Sequence, residues 1–107
     1  MNEAASNLRK AVVERVLHGS ATTTGDDRRA AYDNAQVPEP ARALIDKVSK
    51  HAWKVTDEDI AAAKQAGLSD DQIFELAVAA ALGQATRQLD AALAALAAAK
   101  PPTKDAK

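Results

Sequence analysis

Glu75 interrupts the most apolar stretch of this sequence, Ile73 to Leu82, and is the side chain best placed to do chemistry. A carboxylate held among apolar groups either pairs with a cation or has its pKa raised, and a raised pKa is what a general acid needs. The structural alternative is that Glu75 sits on a thin polar edge or pairs with Arg28, Arg29 or Arg87, since ion-pair networks perturb carboxylates without catalysis. His51 is a second candidate, as general base or metal ligand. It falls at the end of a predicted helix, where the negative end of the dipole favours a protonated imidazole. His18, before Gly19, has the same explanation.

Other chemistries are poorly supplied. The histidines form no His-x-x-x-His or Glu-x-x-His pair, so no metal site is expected. Cysteine is absent, which removes disulfides, thiolate ligands and thiol nucleophiles together. No Gly-x-Ser-x-Gly elbow occurs, and 4 glycines are too few for a phosphate-cradling loop. No cofactor is implied. The 14 basic and 15 acidic residues are interspersed, for a net charge of −1, and no basic stripe exists to track phosphates. Nucleic acid is therefore not an expected partner. The longest apolar run, Ala91 to Ala99, falls far short of the ~20 residues that cross a bilayer. With no signal-like N-terminus either, the expected location is cytoplasmic.

The elements that must position these groups are helical. Val55-Thr56-Asp57-Glu58-Asp59-Ile60 and Leu68-Ser69-Asp70-Asp71-Gln72-Ile73 each combine a hydroxyl N-cap, a reciprocal residue three positions on, and flanking apolar residues. Each is a capping box with a hydrophobic staple, and Gly67 between them is a helix stop. Upstream, Leu8, Val12, Val13, Val16 and Leu17 predict a first helix from about Glu3 or Asn7 to His18. A short helix capped at Thr24 or Gly25 should end before Val37-Pro38-Glu39-Pro40. The stripe Ala41, Leu44, Ile45, Val48 and Ala52 predicts a third helix from Pro40.

The last helix should run from Ser69 to about Ala99, with Ile73, Phe74, Leu76, Val78 and Leu82 burying its first half on most sides. Gly83 in mid-helix costs ~1 kcal/mol relative to alanine, which a close helix approach would explain. The fold class is thus all-α, a bundle of about five helices with a long C-terminal helix. One domain is expected over 1–99, followed by a disordered polar tail over 100–107.

Composition also predicts association. Apolar residues make up 47% of the chain, but alanine dominates them and only 3% are aromatic. At ~25 cal/mol per Å² buried, such a core is thin. A homodimer or higher homo-oligomer would supply the missing burial. Phe74, Val78, Leu82, Leu89, Leu93 and Leu96 are the expected interface. Trp53 and Tyr32 are possible anchors, although Trp53 is expected to pack inside the monomer.

Val55 to Ile60, Ala66 to Leu76 and Ala79 to Gly83 resemble the alkylhydroperoxidase-like, or carboxymuconolactone decarboxylase, family, over about residues 40–97. The resemblance implies that family's helical fold. Its redox branch carries a C-x-x-C pair and a His before the glycine turn; here Ala52, Val55 and Asp59 occupy those places. Thiol peroxidase chemistry is therefore excluded. A cysteine-free decarboxylase branch would instead work through acid–base groups between helices or subunits, drawn here from His51, Asp59, Glu75 and Arg87. Three readings follow: an oligomeric scaffold or small-molecule binding module, an acid–base enzyme using Glu75 with His51 or Arg87, and an adaptor binding another protein through Leu89, Leu93 and Leu96.

Overall fold

A computed structural model describes residues 3–99; the tail expected over 100–107 lies outside them. Five α-helices and one 3₁₀ turn account for the described elements: α1 Glu3–His18, α2 Gly25–Asp33, α3 Arg42–His51, the turn Ala52–Lys54, α4 Asp57–Gln65 and α5 Asp70–Ala99. The all-α bundle with a long C-terminal helix is what the sequence predicts. No described helix is long and apolar enough to cross a membrane.

Local chemistry sets the helix ends. Thr56 Oγ1 accepts from the Asp59 amide at 3.3 Å while the Asp59 carboxylate accepts from the Thr56 amide at 2.9 Å. Ser69 and Gln72 repeat the exchange at 3.1 and 2.9 Å. Each box satisfies two amides that a helix start leaves without partners. Between them Gly67, at φ +113°, lets the chain reverse, and the Leu68 amide closes back onto the Ala63 carbonyl at 3.1 Å. Thr24 caps α2 by accepting from the Asp27 amide.

One face of α5 organises the core. Leu76, Ala79 and Ala80 pack with Ala31 of α2, with Val37, and with Ala41 and Ile45 at the start of α3. Ile73 joins Leu44 and Ala63 in a second cluster that seats α4. The alanines let backbones approach closely, and Gly83 is buried where α5 meets the Tyr32 carbonyl. The close approach predicted from Gly83 is present.

The other face of α5 departs from expectation. Phe74 is 69% exposed and Val78 is also exposed, whereas their helix half was predicted to be buried on most sides. Trp53, expected inside the monomer, is 76% exposed. The reason is one-sided coverage. Helices α2, α3 and α4 contribute their buried residues to clusters on the inner face. Small residues meet there, and no bulky ring is needed to fill the gap. The molecule is correspondingly long, 63 × 28 × 21 Å.

Candidate functional site

Glu75 sits in a ready-made set of donors. The loop after α1 brings Thr22 and Thr23 to the first turns of α5, and each residue donates twice. Thr22 binds Oε2 through its amide at 3.0 Å and its hydroxyl at 2.9 Å. Thr23 binds Oε1 through its amide at 2.8 Å and its hydroxyl at 2.7 Å. Partial burial pushes this carboxyl up, but the four donors outweigh it and hold the pKa down to about 2. The carboxylate is therefore ionised near neutrality and most of its accepting capacity is filled. The raised pKa read for Glu75 is corrected, and so is the ion pair with Arg28, Arg29 or Arg87 offered as one structural alternative: the carboxylate is held by threonine donors instead.

Arg28 instead braces the loop from behind. It is only 5% exposed, and its guanidinium donates to the carbonyls of Leu17, Gly19 and Thr23 at 3.0–3.1 Å. Two of those carbonyls lie at the end of α1, where a cation is favoured by the helix dipole. Thr23 thus accepts from Arg28 and donates to Glu75, which locks α1, α2 and α5 into one corner.

The remaining candidates have separate partners. Arg87 donates to the Tyr32 carbonyl at 2.7 Å, in the last turn of α2, and to Gln84 at 3.1 Å. It lies twelve residues beyond Glu75 on one helix, about 18 Å along the axis. His51 is exposed at the end of α3, with its ring edge-on to Trp53 at a centroid distance of 5.2 Å. Asp59 accepts from Lys47 at 2.8 Å as well as closing its capping box, and these bonds, the lysine's first, lower its pKa. None of the four bonds to another. Among the described residues no group of three or more His, Asp or Glu side chains could hold a metal ion.

Three open grooves flank these residues. One of about 220 Å³ lies between α3 and α4, with Lys47 and Asp59 at its polar side and Leu44 and Ala63 on its floor. A second, about 240 Å³, runs between α1 and α5, where Val16 and Arg15 face Phe74, Glu75 and Val78. A third, about 190 Å³, has Trp53 and Ser49 on one wall and Ala81 and Ala85 on the other. The second and third border a larger feature, the outer face of α5. Phe74, Val78, Leu89 and Leu96 are exposed along it, Leu82 and Leu93 are half-buried beside it, and Leu8 and Val12 of α1 are exposed as well.

Sequence reasoning missed Thr22 and Thr23, and named Arg28 only as a partner for Glu75 rather than as the buried brace of the loop. Three consecutive threonines carry six potential donors, a signal that composition alone reads as loop. Comparison with known protein families, with curated proteins and with solved structures finds no match.

Proposed function

We propose that this chain is a non-enzymatic helical assembly module whose working surface is the outer face of α5 with the adjoining edge of α1. One observation carries the reading: α5 is apolar on two opposite sides. At 100° per residue, Phe74, Val78, Leu89 and Leu96 fall within an arc of about 60°, roughly opposite Leu76, Ala80 and Gly83. A lone helix face turned to water has no use for such a stripe, and contiguous apolar patches of this kind mark interaction sites. The acid–base reading is correspondingly weakened, because Glu75 is saturated by donors and Arg87 and His51 are engaged elsewhere.

The order capping box, Gly67, capping box, alanine-rich helix supports placing the chain, as part of this proposal, among cysteine-free members of the alkylhydroperoxidase-like family. The test is light scattering at micromolar concentration. A mass of at least twice 11.2 kDa is expected for the unmodified chain. The double variant Leu89→Glu/Leu96→Glu should be monomeric with unchanged helical circular dichroism. An unmodified chain that stays monomeric overturns the proposal.

A further inference from the structure

We infer that the outer face of α5 pairs with a second copy of itself, antiparallel, about a twofold axis passing at Ala85. This rests on the assembly reading above and adds the antiparallel orientation and the register. The residues along the crest of the stripe are Phe74, Val78, Ala81, Ala85, Leu89, Ala92 and Leu96, at intervals of 4, 3, 4, 4, 3 and 4. That series reads the same in both directions. Reversing the helix about Ala85 therefore superposes the stripe on itself, as a twofold interface between identical chains requires.

Side-chain sizes match in the same register. Val78 of one copy comes opposite alanine at position 92 of the other, and Leu89 opposite alanine at position 81. Ala85 meets its own counterpart, so the helices approach most closely at the centre. Phe74 and Leu96 close the two ends together. Large against small is how facing helix surfaces interdigitate without voids. The 4-3-4 spacing repeats every eleven residues, close enough to the natural helical pitch that the stripe stays in line with a nearly straight helix.

The flanks agree. Trp53 stands over the groove beside Ala81 and Ala85, level with the proposed axis, and is 76% exposed. On the opposite margin of α5, Val16 borders Phe74 and Val78, with Val12 and Leu8 continuing its line at four-residue steps along α1. A twofold axis perpendicular to α5 carries both α1 helices to one side and both Trp53 rings to the other. Seven large apolar side chains on this face and its margins stand 36–76% exposed, the kind of surface from which an interface of ~800 Å² per partner is built. A central exposed tryptophan is the kind of anchor such interfaces use.

The chain has no cysteine, so a single introduced thiol is unique. The variants Ala85→Cys, Asp71→Cys and Ala99→Cys all lie at exposed positions on α5. Under mild oxidation the first should cross-link to itself. The other two should cross-link only when mixed, and their spin labels in homodimers should lie about 42 Å apart along the axis. Self-cross-linking of Asp71→Cys, or none by Ala85→Cys in a sample that scatters as a dimer, overturns the register and leaves the assembly reading standing. A monomeric sample overturns both.

Discussion

Gly83 meets the Tyr32 carbonyl so closely that an added Cβ would overlap it, and the same oxygen accepts the 2.7 Å bond from Arg87 one turn along α5. The crossing of α5 over α2 is thus fixed by backbone atoms on both sides. Gly83→Ala gains ~1 kcal/mol of helix propensity, but overpacking against a backbone that cannot rotate aside costs ~2–3 kcal/mol, the upper part of the usual range, and parts the helices. A net loss of about 1–2 kcal/mol is expected in urea denaturation followed by circular dichroism. An unchanged or raised midpoint would show that the crossing has room for a methyl group.

The acid limb of the stability curve should carry the mark of Glu75. Its carboxyl is held down to about 2 from an ordinary value of 4.5, so the contribution is complete above about pH 4.5 and disappears as pH falls toward 2. Glu75→Gln removes the charge and turns an amide N–H₂ toward donors. It should lose ~1–3 kcal/mol at neutral pH. The gap between variant and parent should narrow steadily below pH 4.5. A gap of constant size across that range would mean that the threonine donors are not its cause.

Thr56→Ala and Ser69→Ala each remove the hydroxyl half of a capping box and should each cost ~1 kcal/mol. The two sites cap different helices, so their costs should add in the double variant within ~0.5 kcal/mol. Thermal melts of the two single variants and the double variant measure both quantities. Silent single variants would show that tertiary packing alone sets the starts of α4 and α5.

How much of this was readable follows from the range of each interaction. Thr24, Thr56, Ser69 and Gly67 mark helix ends because caps and stops act over three or four residues, and all four behave as their types dictate. Gly83 was legible for a related reason, since a residue unfavourable in a helix must be explained by what lies beside it. The outward turn of Phe74 and Trp53 was not legible. Periodicity shows that the first half of α5 is apolar on most sides but not which side its neighbours cover. Nor was the hold on Glu75, whose donors lie more than fifty positions away, or the burial of Arg28, whose acceptors are backbone carbonyls that carry no residue signature.

The length of the molecule has a hydrodynamic consequence. A chain of this size in a rounded fold would have a radius of gyration near 13 Å, whereas this one reaches 17.2 Å with a long axis of 63 Å. Drag rises with such elongation, so a solitary subunit should travel through a sizing column ahead of spherical standards of equal mass. Elution volume by itself would imitate a pair.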